Sequence, residues 1–229
     1  MIVYWLEQSA GDVPEDDAWL SPGEAIRLRG MRFPKRRADW RLGRWAAKCA
    51  AAAHRGFPTD VRSLSQIDVP SAPTGAPTID GFSISLSHRG GTAMCALAQP
   101  GALLGCDLEL VERRSDAFVA DYFTQREQSL VARADAADHS RIVALLWSAK
   151  ESALKAMGAG LRLDTREVEV EVDMDDGAFD TGGWRSMTVR QLHGWWQLYG
   201  RLVMTVVADP RPAMPRRLVR TGMQLNVTF

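Results

Sequence analysis

The sequence predicts an α+β protein made of two α/β lobes, each with a largely antiparallel sheet packed by helices. Three observations predict it. Each half of the chain runs strand, helices, strands in the same order. The strand-like segments alternate in polarity and are divided by short Gly or Pro turns, and the main helical segments each carry an apolar stripe. No letter-by-letter repeat joins the halves. The boundary falls near Gly101, giving lobes 1–100 and 101–229.

Taken in order, "IVYWLEQ" opens as a strand, and Ser21 as N-cap with Pro22 behind it starts a helix. A longer helix is expected from about Lys35 to Ala53, with Ala38, Leu42, Trp45, Ala46, Cys49 and Ala53 on its apolar stripe. Arg37, Arg41, Arg44 and Lys48 form a basic stripe beside it, and 69–78 reads as a loop. "FSISLSH", "TAMCALA" and "ALLGCDLEL", divided by "RGG" and "QPG", predict a three-stranded meander. Two helical runs follow, "SDAFVADYFTQREQSLVARA" and "SRIVALLWSAKESALKAMG". The strand-like "EVEVEV", "SMTVRQL", "WWQLYG" and "LVMTVVA" come next, and the tail after Pro210 has no period.

The 229 residues are enough for a substantial core, and 28 basic against 28 acidic residues leave no net charge. Between Arg27 and Lys48, however, nine basic residues face one acid, Asp39. That asymmetry suits a localised anionic partner better than a wholly basic nucleic-acid binder. Three cysteines without metal-type spacing read as small buried hydrophobes in a reducing compartment. The start lacks signal-peptide features and no apolar run reaches membrane-spanning length, so a cytoplasmic protein with no membrane partner is expected.

Asp107 and Glu109 stand two places apart in "LLGCDLEL", so they share a strand face and raise each other's pKa unless a cation intervenes. All-oxygen ligands suit Mg²⁺, and the alternative is a solvated edge whose acids pair with Arg113 or Arg114. The meander's register, with His88 opposite Thr92 and Thr92 opposite Leu108, brings His88 to the same end of the sheet as the acids. Glu151 lies almost opposite the apolar stripe of its helix, between Trp147 and Lys155. A large aromatic ring has no use on a solvated face, so that side is expected to meet a cleft between the lobes.

"GCDLE" followed by "WSAKES" and Lys155 resembles the signature pair of the Sfp-type 4′-phosphopantetheinyl transferases. "RRADWRLGRWAAK", "GAP", "SLSH", "FTQRE" and "GAGL" are similar, in order, to that branch's Arg-rich helix, G-K-P turn, Ser-His strand end, F-x-x-x-E segment and Gly-rich stretch. Ala76 stands where the turn often carries Lys. The resemblance implies the phosphopantetheinyl transferase fold of two pseudo-symmetric lobes in one monomeric chain. It implies transfer of the 4′-phosphopantetheine arm of coenzyme A to a serine of apo acyl or peptidyl carrier proteins. Adenosine 3′,5′-bisphosphate is released, in the service of fatty acid, polyketide or nonribosomal peptide synthesis. Under it, Asp107, Glu109 and Glu151 hold Mg²⁺, and Glu151, Lys155 and His88 are catalytic. Arg37, Arg44, Ser87, His88, Lys150 and Lys155 meet coenzyme A, and 111–123 is part of the carrier-protein surface. Two alternatives are a coenzyme A or carrier-protein scaffold without catalysis, and an RNA-binding protein using the basic helix.

Overall fold

The computed structural model describes residues 1–172, 179 and 182–220. It is a mixed α+β structure with two largely antiparallel sheets packed by helices. The first sheet has β1 (Tyr4–Ser9) paired with β3 (Thr92–Ala98), which pairs with β2 (Ser83–Arg89). Helix α1 (Pro22–Arg29) starts at the Ser21 cap as the sequence predicts, and α2 (Pro34–Arg55) lies on β1 and β3. A short α3 (Val61–Ser65) follows. The second sheet runs β4 (Leu103–Leu110), β8 (Leu202–Asp209), β7 (Leu192–Tyr199), β6 (Arg185–Val189), β5 (Val170–Val172). The expected run from Ser115 to Ala134 breaks at Phe123 into α4 (Asp116–Tyr122) and α5 (Gln125–Arg133), because Thr124 caps a new helix. Helix α6 (His139–Ala156) packs on β4 and β8. The tail crosses back: β9 (Arg216–Arg217) adds in parallel to β1, and residues 221–229 of that tail lie outside the described residues.

The meander is not formed as expected. β4 pairs with β8, Leu108 faces Met204, and Thr92 faces Arg89 and Ser9. His88 stands opposite Ala93, because both Gly90 and Gly91 adopt left-handed φ and the two-residue loop centres between them. β4 still runs beside β2, but serine hydroxyls join them. Cys106 N donates to Ser85 Oγ (2.9 Å) and Leu108 N to Ser87 Oγ (3.2 Å). Two sheet edges therefore face each other with side chains replacing a backbone ladder. Behind them, Trp5, Met94 and Ala96 of one sheet share a core with Cys106, Leu108, Met204 and Val206 of the other. All three cysteines are buried and free, and burial pushes the Cys49 thiol up to about 12 and Cys106 to about 11.

A repeat invisible in the letters appears in the bonding. Glu24 accepts from Ser21 N and Val69 N and pairs with the fully buried Lys48, which donates to the carbonyls of Trp19 and Leu64. Glu127 accepts from Thr124 N and Val170 N and pairs with the fully buried Lys150, which donates to the carbonyls of Thr165 and Val168. Each buried ion pair has its remaining donors and acceptors satisfied, which is the condition under which a low-dielectric site tolerates one. Trp45, three residues before Lys48, donates its indole N–H to Gln8, and Trp147, three residues before Lys150, lies beside Glu109. Counted along the chain from these matched residues, Leu6, Gln8 and Cys49 correspond to Asp107, Glu109 and Glu151.

Candidate active site

The alternation of β4 sorts its residues. Cys106 and Leu108 enter the shared core, while Gly105, Asp107 and Glu109 face α6. A Cβ on Gly105 would lie 1.8 Å from Ser152 O, so only glycine lets the helix come this close. Along α6 from Ile142 to Ala156 the side chains are buried except Trp147, Glu151 and Lys155, spaced one turn apart and half-buried. One helix face meets the sheet; on the stripe, Trp147 packs against Phe118 and Tyr122 of α4 rather than on a cleft, and Lys155 lines a cleft with residues of 74–86.

Asp107, 5% exposed, is the centre. Its Oδ1 accepts from Ser87 Oγ (2.8 Å) and Lys155 Nζ (2.7 Å), and its Oδ2 is buried with no partner among the described residues. Glu109 Oε2 lies 3.5 Å from Arg89 Nε and 3.4 Å from Arg114 Nη2, and both arginines also pair with Glu112. Burial raises the Glu109 pKa and the charge of Asp107 adds to it, against the pull of Arg89, Arg114 and the Trp147 indole. Burial and then Asp107 likewise raise Glu151, with Lys155 opposing. Burial works against the Lys155 ammonium, but Asp107, then Cys106 and Glu151, outweigh it and its pKa is raised.

Among the described residues no three His, Cys, Asp or Glu side chains are arranged to hold a metal ion. By donor chemistry the trio nevertheless fits a hard divalent cation. It offers carboxylate oxygens that repel one another, one of them buried and unpartnered, and a cation there would relieve both conditions.

The other residues singled out from the sequence separate. His88 alternates away from Ser87, is exposed, and does not join the carboxylates. It lines a cleft of about 450 Å³ with Phe33, Lys35, Arg36 and Trp40. Arg37 does not reach that cleft's lining: its guanidinium caps the end of α1 through Leu28 O (2.6 Å) and Met31 O (3.4 Å). Arg44 is buried, bonded to Ser71 Oγ (3.2 Å) and stacked over Trp40, and burial lowers its pKa. Arg41 is held by the carbonyls of Pro14, Glu15 and Asp16. The basic stripe is real, but the loop at 14–17, the end of α1 with Met31, and Ser71 cover it, and a helical wheel cannot see such neighbours. Lys150 is the buried partner of Glu127 and is not open to a ligand. A second cleft, about 390 Å³, lies between the lobes and joins Ala76 and Pro77 to Lys155, Gly158, Gly160 and Arg162. Arg36 and Arg162, which line these clefts, and Arg89, which pairs with Glu109, escaped sequence reasoning, since only tertiary packing brings them there.

Residues 103–207, which span β4 through most of β8, match the model of the 4′-phosphopantetheinyl transferase superfamily. The chain is 32% identical over 225 residues to the 4′-phosphopantetheinyl transferase Svp of Streptomyces mobaraensis, covering 90% of this chain and 86% of that protein. It is 25% identical over 173 residues to the 4′-phosphopantetheinyl transferase HetI of Nostoc sp., covering 72% and 70% respectively. A Thermotoga maritima holo-[acyl-carrier-protein] synthase structure gives a TM-score of 0.32 at 20% identity, covering 50% of this chain and 63% of that one, and nothing rests on it. Among the described residues no helix is long and apolar enough to cross a membrane. With Asp107 bonded to Lys155 beside Glu151 and a relative aligned over nine-tenths of the chain, the protein belongs to the 4′-phosphopantetheinyl transferase family and is a transferase.

Proposed function

We propose that the protein moves the 4′-phosphopantetheine arm of coenzyme A onto a serine of an apo carrier protein and releases adenosine 3′,5′-bisphosphate. The observation that carries it is the meeting of Asp107 and Glu151 with Lys155, which itself lines the cleft that also holds Pro77, Gly158 and Arg162. In the reaction the carrier's serine Oγ bonds to the phosphorus that bears the pantetheine arm. The bond from that phosphorus to the bridging oxygen breaks, and the electron pair leaves with the adenosine bisphosphate. Lys155, kept charged by Asp107, faces the developing negative charge on the leaving phosphate. Glu151, half-buried one turn from Lys155, takes the serine proton. Asp107 and Glu109, with Glu151 as third donor, would hold Mg²⁺. When bound, the ion neutralises charge on the diphosphate.

Ser87 acts through Asp107 by orienting its carboxylate. Arg36, with the His88 ring as a further hydrogen-bonding group, meets a coenzyme A phosphate at their own cleft in place of Arg37 and Arg44, while Lys35 there is paired with Asp39 (2.9 Å). The carrier surface includes Phe118 and Tyr122, which stack around Trp147 beside the carboxylates, whereas Phe123 is a core residue. The RNA-binding alternative loses the open arginine stripe that raised it. The test is the intact mass of a panel of apo carrier proteins after incubation with the protein, coenzyme A and Mg²⁺. One added arm, absent with EDTA and with Asp107→Ala, is expected; no gain on any carrier would refute the proposal.

A further inference from the structure

We propose that Thr205 is a positioning residue for this transfer, setting the height of α6 on the sheet so that Glu151 and Lys155 meet Asp107. This rests on the function proposed above. Thr205 stands directly opposite Asp107 across the β4–β8 pairing, on the face that α6 covers. Its hydroxyl is the hub of a three-hydroxyl knot with Ser148 (2.9 Å) and Ser152 (2.6 Å), all three fully buried.

The protons can be assigned. Thr205 Oγ1 donates its one proton to Ser148 O (3.0 Å), so its two lone pairs are left to accept from the Ser148 and Ser152 hydroxyls. The arrangement is saturated and has one register. Ser152 Oγ also reaches Thr205 O (3.4 Å), and sliding α6 along the sheet by one residue breaks all of these bonds at once, in a region where water cannot replace them. Ser148 and Ser152 flank Glu151 and precede Lys155, so the same slide would carry both away from Asp107. An apolar residue at 205 would keep the packing and remove the register. Gly105 sets how close the helix comes, and Thr205 sets where along the strand it stops.

The test compares the full-length parent with Thr205→Val, Thr205→Ser and Val189→Ala, the last a fully buried residue of β6 outside the site. Each is assayed for thermal midpoint, for kcat and KM, and for Tb³⁺ binding read by luminescence sensitised through Trp147, which lies beside Glu109. Trp147→Phe removes that signal and serves as its control. Thr205→Val is expected to lower kcat by about tenfold or more, with the coenzyme A KM within about twofold, and to weaken Tb³⁺ binding several-fold. Thr205→Ser should restore both, and Val189→Ala at a comparable thermal loss should alter neither. Should Thr205→Val not fold, Ser152→Ala removes one spoke of the knot and is expected to shift kcat and Tb³⁺ affinity in the same direction. Unchanged kcat and Tb³⁺ affinity in a folded knot variant, or equal losses in Val189→Ala, would overturn the inference while the parent's activity stands. A parent that neither transfers the arm nor binds Tb³⁺ would overturn the underlying function, and this inference with it.

Discussion

Replacing Gly105 by Ala adds one methyl group where the structure leaves no room for it. The new Cβ would sit 1.8 Å from Ser152 O and 2.8 Å from Ala156 N, both backbone atoms of α6 that cannot rotate aside. Contacts below 3.0 Å do not persist, so the helix must lift from β4 by roughly 1 Å or more. Overpacking of this kind costs about 1–3 kcal/mol. With backbone on the receiving side the upper end applies, and for a chain of this size ~3 kcal/mol is about 6–12 °C in Tm. The lift also draws Glu151 and Lys155 from Asp107, and a displacement of about 1 Å at a reacting centre costs roughly a hundredfold in rate. Thermal unfolding and the carrier mass assay would be run beside Gly23→Ala, a position in α1 with nothing within 4 Å of the added Cβ and no expected loss. A Gly105→Ala protein melting within about 2 °C of the parent and transferring the arm at full rate would refute the close-approach argument.

Four other outcomes follow from the same structure. Glu109 and Glu151 both have raised pKa values in the folded, metal-free protein, so unfolding releases protons between the ordinary value of 4.5 and their raised values. Stability in EDTA should therefore fall as pH rises through that window and level off above it. Glu109→Gln with Glu151→Gln should flatten the fall and raise the metal-free Tm at neutral pH, and an unchanged slope would show that these groups are not the source. Lys150→Met leaves Glu127 buried without its cation and should cost about 3–5 kcal/mol in chemical denaturation, with the coenzyme A KM unchanged. Lys155→Ala should instead keep most of the stability and lose about 10²–10³ in kcat. Arg36→Ala and His88→Ala should each raise the coenzyme A KM about tenfold, while Arg37→Ala lowers Tm and leaves that KM alone. Tyr122→Ala should raise the carrier KM more than the coenzyme A KM, whereas Phe123→Ala, at a core position, should chiefly lower Tm.

Local physics was enough to read much of this protein from its letters. Alternation placed Asp107 and Glu109 on one face, helical spacing aligned Trp147, Glu151 and Lys155, and the Ser21 cap announced α1, because each depends on neighbours close along the chain. The α+β class followed from the same periods. Other features depend on contacts between distant segments. β4 left the meander for β8 because its even residues are buried between the two sheets, and no local pattern encodes that partner. His88 parted from the carboxylates through a turn centred between two glycines, since one residue of register exchanges the faces of a strand. Arg37, Arg44 and Lys150 resembled ligand-binding cations because sequence reports their charge but not their exposure. Folding gave their hydrogen bonds to loop carbonyls, a serine hydroxyl and a buried carboxylate. Periodicity thus determined which face each residue takes. Only tertiary packing decided which charged residues became structure and which were left to meet a substrate, because desolvation and partner geometry arise when the lobes close on each other.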